Sequence, residues 1–267
     1  MKKYYAMFLA RLANGIQYRV ELFIWLFLDI IPFVLVVPVW VMIYQGDQTE
    51  LIKTGFSLVS LISYYVASIW LLNMTDTHFE ELWTENVRLG RIDTHIVKPA
   101  KLYLMPIMHM FAQKLLAITM FFIPFGMVLW FLRAYISFPN VTERLPIVAV
   151  FAGIGLMLNA AFSLMLVAGA FWFDQVEGLS HFKWALGSIF SGTLAPLSFF
   201  PIWVQKIAAF LPFQDIIQTP SLFLIGNLNA QAMILPFIRL SVYCVFIWAL
   251  AIWFWNKSIR KYTSAGG

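Results

Sequence analysis

Between Ile147 and Phe173 the sequence reads IVAVFAGIGLMLNAAFSLMLVAGAFWF, and none of these 27 side chains is charged. A helix needs about 20 mostly apolar residues to cross the hydrocarbon core of a bilayer. The rest of the chain is similar: of 267 residues, 61% are hydrophobic and 12% are charged, with a mean hydropathy of +0.80. So few charges cannot cover a water-facing surface. The sequence therefore predicts an all-α membrane protein that crosses the bilayer several times.

The same criterion of length and apolarity predicts six transmembrane helices within one membrane domain, residues 1–267. They are Leu22–Tyr44, Gly55–Met74, Pro106–Phe131, Ile147–Phe173, Trp184–Phe200 and Met233–Trp255. Before them, residues 1–20 carry apolar side chains at helical spacing together with Lys and Arg. That pattern predicts an amphipathic helix lying in the membrane interface.

Lysine and arginine counts predict the orientation of these spans. With the N-terminus inside, twelve Lys and Arg fall in inner segments and four fall in outer segments. Segments on the cytoplasmic side of a membrane carry the excess of positive charge. Both termini are therefore expected in the cytoplasm. In a membrane protein the formal charge of +5 reflects this distribution and does not point to nucleic acid.

Residues 201–232 are apolar but interrupted by Pro201, Pro212, Pro220 and Gly226. Each apolar piece has roughly ten residues, which is too short to span a membrane. Because proline starts or stops helices, the pattern predicts a re-entrant helical hairpin before the last span.

Motifs for chemistry are missing from the sequence. A phosphate-binding loop of the Walker type ends in Gly-Lys-Ser/Thr, and the chain contains no Gly-Lys pair. The four histidines are scattered, and no serine has a histidine and a carboxylate at a suggestive spacing. Cys244 is the one cysteine, and a small buried hydrophobe is the simpler interpretation. We therefore expect no catalytic residue, no metal site and no cofactor on this chain.

Three polar residues fall inside predicted spans: Asp29, Asn159 and Arg239. Polar groups within a membrane are candidates for function by default. They could line a substrate path, or they could form hydrogen bonds with neighbouring helices.

The longest hydrophilic segment, residues 75–105, lies between the second and third predicted spans. Asp76 or Thr77 could cap a helix, and Gly90 would end it. The apolar positions of this helix repeat at helical spacing: Phe79, Leu82, Trp83 and Val87. Its polar side is acidic and fits poorly against anionic lipid. The apolar stripe should therefore contact protein, either a soluble partner or the inner ends of its own helices.

Three motifs in the chain follow one another in a specific order. The first is Gly90, Arg91, Ile92 and Asp93 followed by Lys98 and Pro99; the second is Ser191, Gly192, Pro196, Phe200 and Pro201; the third is Leu211, Pro212, Phe213, Pro220 and Gly226. With the six-span layout, this order resembles the membrane-subunit (permease) family of type-2 ABC exporters. Within that family it is most similar to the daunorubicin and viologen exporter branch.

The resemblance implies a bacterial inner-membrane subunit that pairs with itself or with a sister permease. Two copies of a separate cytoplasmic ATPase, which bind ATP and Mg, would dock underneath and drive export of an amphiphilic drug, lipid or peptide. The helix within residues 75–105 would be the coupling helix in an ATPase groove, which shifts the balance toward the partner. The residues expected at the ATPase contact are Glu81, Trp83, Glu85, Arg88, Gly90 and Arg91.

Two other functions fit the sequence less well than an exporter. An integral membrane enzyme that modifies lipid needs a cluster of His, Asp or Ser at one interface, and the sequence shows no such cluster. A secondary transporter is typically built from inverted repeats with ionisable residues near the midplane. We find neither pattern in this sequence.

Overall fold

A computed structural model describes residues 2–17, 24, 28, 31, 35, 37–44, 55–96, 101–173 and 176–262. In these residues every regular element is helical, which confirms the all-α prediction. Residues 37–44 are helical, and the other helices are α1 Lys2–Gln17, α2 Leu58–Thr75, α3 Phe79–Arg88, α4 Asp93–Ile96, α5 Leu104–Phe131, α6 Val141–Gly169, α7 Glu177–Phe190, α8 Ile202–Phe210, α9 Phe213–Ile216, α10 Gln218–Leu224 and α11 Ile234–Ser258. Short 3-10 turns occupy Leu197–Phe199, Gln231–Met233 and Ile259–Lys261.

Four helical stretches in the described residues are long and apolar enough to cross a membrane. They are Leu58–Arg88 (α2 with α3), Leu104–Phe131, Val141–Gly169 and Gln231–Lys261. Each corresponds to a predicted span, and most boundaries agree within a few residues. A fifth candidate is α8 together with Phe213–Leu224, which are bent by 75° relative to each other. This bent pair is either a broken span or a re-entrant loop, so the predicted hairpin stays a prediction.

Two predicted spans differ from this picture, and the count of six is not confirmed. Of Leu22–Tyr44, only residues 24, 28, 31, 35 and 37–44 are described, and all of them are helical. The predicted span Trp184–Phe200 is wrong at both ends. The helix here is α7, whose 14 residues extend about 21 Å. It ends at Phe190 because Gly192 has a φ of +81°, which a right-handed helix cannot contain.

Helix α6 lies at the centre of the fold, in contact with α2, α3, α10 and α11. Small residues allow this close packing: Ala160 and Ala161 are fully buried. A Cβ atom added to Gly155 would lie 2.8 Å from the Ile216 side chain. The four helices α2, α3, α10 and α11 therefore all pack against α6.

Helix α1 packs along α5. Tyr5 and Leu9 on α1 remain exposed, which leaves apolar side chains facing outward. That arrangement is compatible with the predicted interfacial position of residues 1–20, which stays a prediction.

Candidate functional site

The break between α2 and α3, here called the α2–α3 junction (Asn73–Glu80), is where polar groups from several helices meet. Helix α2 stops because Asp76 adopts an extended conformation, with φ −70° and ψ 153°. The last carbonyl groups of any helix lack partners within the helix. Buried carbonyls of this kind need donors from elsewhere in the protein.

Three other helices each supply a donor to the carbonyl groups of the junction. The Lys114 ammonium of α5 donates to the Asn73 carbonyl at 2.6 Å. The Asn159 amide of α6 donates to the Thr75 carbonyl at 2.8 Å. The Lys183 ammonium of α7 donates to the Thr77 carbonyl at 3.5 Å. Cations are also favourable at a helix C-terminus because of the helix dipole, so the junction ties α2 to α5, α6 and α7.

An ion pair with a buried carboxylate joins the first turn of α3 to α7. The Lys183 ammonium donates to the Glu80 carboxylate, and the Glu80 residue is only 3% exposed. The same ammonium donates to the Ser163 hydroxyl at 3.0 Å, and that hydroxyl lies 2.8 Å from the Thr77 hydroxyl. A buried ion pair is costly to break because either partner alone is left as an uncompensated charge. The ion pair therefore links the start of α3 to α7.

The start of α3 differs from the predicted cap. The N-cap residue is His78, and it forms no side-chain capping bond. Asp76 is not available because its carboxylate accepts from the Thr77 backbone N–H at 2.8 Å and lies 3.0 Å from His78 Nε2. The Thr77 hydroxyl is occupied by Ser163. The predicted end is confirmed: α3 stops at Arg88, and Gly90 has a φ of +69°.

The apolar stripe of α3 packs against the protein's own core. Phe79, Trp83 and Val87 are buried in one cluster with side chains of α6 and α11, whereas Leu82 is 37% exposed. The expectation that this stripe enters a partner's groove is therefore wrong. It failed because helical periodicity shows that a face is apolar but not which protein covers it.

The residues predicted at the ATPase contact differ in how exposed they are. Trp83 is 1% exposed, so it is no longer expected at the ATPase contact. Gly90 is half-buried, and the other four predicted residues are exposed: Glu81, Glu85, Arg88 and Arg91. What we call the exposed face of α3 consists of these four exposed residues together with Leu82 and Leu89.

The Gly90–Asp93 turn after α3 contacts the end of the last helix. The Tyr262 hydroxyl donates to the Asp93 carboxylate at 2.8 Å. Burial and the Asp93 carboxylate raise the pKa of Tyr262 to about 12, so the phenol keeps its proton and remains a donor. Lys98 and Pro99, the other end of this motif, lie outside the described residues.

The second motif forms a tight contact between the end of α7 and α2. The Tyr64 hydroxyl donates to the Gly192 carbonyl at 2.7 Å, and the Gln218 N–H donates to the Ser191 carbonyl at 3.1 Å. A Cβ atom at Gly192 would lie 2.5 Å from Gln218 Oε1 and 2.6 Å from the Tyr64 hydroxyl. Glycine is therefore required at this position.

The prolines of the motifs begin short helices. Pro196, Pro201 and Pro212 directly precede the 3-10 turn Leu197–Phe199, α8 and α9. Pro220 lies in the first turn of α10. These positions suit proline because the first turn of a helix does not use its backbone N–H groups.

Arg239 of α11 binds Asp215, a residue that the sequence analysis did not single out. The guanidinium donates to both carboxylate oxygens, at 2.6 and 2.7 Å, and also to the Ala209 carbonyl at 2.6 Å. Asp215 is fully buried. A carboxylate and an arginine in neighbouring apolar segments were a usable signal, since buried charges are paired.

The three residues considered for a substrate path therefore have different positions. Asn159 binds the end of α2 and Arg239 binds Asp215. Asp29 lies outside the described residues. In the described part of the chain, no group of three His, Cys, Asp or Glu side chains could hold a metal ion.

The described fold is a set of apolar helices around α6, several of them long enough to cross a membrane. A family model described as ABC-2 family transporter protein matches residues 30–266. The chain therefore belongs to the ABC-2 transporter family, as a permease subunit of an ABC transporter. Proteins of this family work with ABC ATPases and in dimers. No curated protein and no solved structure matches the chain.

Proposed function

We propose that this permease forms, with a second copy or a sister subunit, the path through which an amphiphilic drug, lipid or peptide is exported across a bacterial inner membrane. Both termini lie in the cytoplasm, and two copies of a separate ATPase bind ATP and Mg beneath the dimer. The daunorubicin and viologen exporters are the expected branch of the family. The observation that carries this proposal is the two-sided character of α3.

The two sides of α3 suit a helix that receives force from outside and passes it inward. One side is fixed in the core by Phe79, Trp83 and Val87. The other side presents Glu81, Glu85 and Arg88 to solvent. Charged side chains on an exposed surface favour an encounter with a partner of complementary charge.

The Glu80–Lys183 pair gives this force a route into the membrane. When ATP brings the two ATPase subunits together, each α3 is carried with its ATPase. Since Glu80 binds Lys183, the start of α3 and the middle of α7 move as a unit. ATP can drive the change only if it binds one arrangement of the complex better than the other.

Purification of the tagged permease from its native membrane tests the proposal. An ABC ATPase encoded beside the permease should be recovered with it, and ATP turnover by that ATPase should depend on the reconstituted permease. Recovery of the permease without any ABC ATPase, even after cross-linking in the intact membrane, would refute this function. Mutants in the exposed face of α3 then locate the contact.

A further inference from the structure

Three cations and two indole rings gather where α11 ends. Lys257, Arg260 and Lys261 are all exposed, and Trp172 from the turn after α6 lies against the two lysines. The Lys261 ammonium is 3.6 Å from the centre of the Trp172 ring, and the Lys257 ammonium is 5.8 Å from it. Lys257 also lies 5.3 Å from the centre of the Trp253 ring. We call Lys257, Lys261 and Trp172 the basic cluster.

The Trp172 ring is held in a fixed position. Its indole N–H donates to the Ser258 hydroxyl at 2.7 Å, and Ser258 is fully buried. One face of the ring stacks on Phe254, at 18° between planes and 6.4 Å between centroids. Both lysines therefore lie over a rigid indole that comes from the turn after α6.

Neither lysine of the basic cluster forms an ion pair with a carboxylate in the described part of the chain. The ion pairs there are Asp76–His78, Glu80–Lys183 and Asp215–Arg239. Asp93 accepts a hydrogen bond from Tyr262, the residue that follows Lys261 in the chain. Two ammonium groups on one ring repel each other, so an anion placed between them would be stabilised.

We propose that the basic cluster binds the phosphodiester headgroup of an anionic glycerophospholipid. The cluster lies at the end of the candidate span Gln231–Lys261, and indole rings at such ends sit at headgroup level. The lysine ammonium groups donate to the phosphate oxygens in charge-assisted hydrogen bonds. The indole rings pack beside the upper part of the acyl chains. This site requires only that the chain is in a membrane, so its test is independent of ATPase coupling.

Native mass spectrometry of the full-length protein in detergent measures this binding. The probes are phosphatidylglycerol and phosphatidylcholine with identical acyl chains. Lys257→Gln/Lys261→Gln should lower the apparent affinity for phosphatidylglycerol roughly thirtyfold, since each of the two cations removed contributes about 1 kcal/mol near an anionic headgroup. Binding of phosphatidylcholine should not change. Lys257→Arg/Lys261→Arg keeps both charges and should retain most of the affinity.

Arg133→Gln is the matched control, because Arg133 lies 5.4 Å from the centre of the Trp130 ring at the end of another span. It removes a cation from an indole without touching the basic cluster and should leave phosphatidylglycerol binding unchanged. The proposal is overturned if the double glutamine variant binds phosphatidylglycerol as well as the unmodified protein does. Equal binding of both lipids by the unmodified protein, or loss of affinity in the double arginine variant equal to that in the glutamine variant, also overturns it.

Discussion

At the scale of single residues, Lys183 connects the short helix α7 to several other parts of the molecule. Its ammonium contacts Glu80, Ser163 and the Thr77 carbonyl. No residue of α7 is buried, so α7 depends on such polar contacts. The Ser191–Gln218 contact holds the other end of this helix.

We predict that Lys183→Met lowers the apparent unfolding temperature of the detergent-solubilised protein by several degrees. The substitution leaves the Glu80 carboxylate buried without its cation, a loss that costs about 3–5 kcal/mol in buried pairs. Glu80→Gln/Lys183→Met removes both charges and should recover much of this loss. Lys206→Met, at an exposed lysine of α8, is the control. Equal shifts for Lys183→Met and Lys206→Met would contradict the prediction.

A second prediction concerns Gly192, where backbone conformation and space both exclude a side chain. Gly192→Ala should destabilise the protein, because a left-handed conformation costs a non-glycine residue about 1–2 kcal/mol and the Cβ atom would displace Tyr64 and Gln218. Gly187→Ala on α7 is the matched control, because its Cβ atom would meet nothing within 4 Å. Thermal unfolding should separate the two variants clearly. A Gly192→Ala protein as stable as the Gly187→Ala protein would show that the contact with Tyr64 is unimportant.

At the scale of elements, composition and periodicity predicted the long helices well. The third and last predicted spans, Pro106–Phe131 and Met233–Trp255, match α5 and α11 within a few residues, because an uninterrupted apolar stretch leaves few alternatives. The prediction of the fifth span was wrong because the sequence stays apolar beyond Gly192, whereas the helix cannot continue through this residue.

The contacts between elements were harder to predict. Glu80 and Lys183 are 103 positions apart, and Asp215 and Arg239 are 24 apart. Neither pair shares a motif, so only the packing of the helices brings them together. The stripe of α3 was recognised correctly as a protein-contacting surface, yet its partner, α6 of the same chain, depends on that packing too.

The exposed face of α3 leads to a prediction about coupling. Glu85→Arg or Arg88→Glu should lower permease-dependent ATP turnover severalfold, because each reversal places a like charge opposite the partner's surface. The folded dimer should be unaffected, since both side chains are exposed. ATP turnover in reconstituted vesicles and the elution volume of the purified dimer measure the two effects.

The matched control for this prediction is Arg133→Glu, a charge reversal at an exposed residue that lies outside α3. It should leave ATP turnover unchanged. Unchanged turnover in both α3 variants would rule out the exposed face of α3 as the ATPase contact. A loss in the Arg133 variant as well would show that the assay responds to charge in general.

At the scale of the whole molecule, the described fold contains four candidate spans and one bent pair, and its orientation rests on the distribution of Lys and Arg. The single native cysteine makes this orientation testable. Cys244→Ser gives a background without thiols, into which Glu81→Cys on α3 and Lys206→Cys on α8 are introduced separately. Because both positions are exposed, each thiol should react with a maleimide that reaches its side of the membrane.

We predict that a membrane-impermeant maleimide labels the Lys206 variant in intact spheroplasts, and labels the Glu81 variant only after the membrane is opened. Labelling of both variants in intact spheroplasts would place α3 on the outer side, where no cytoplasmic ATPase could reach it.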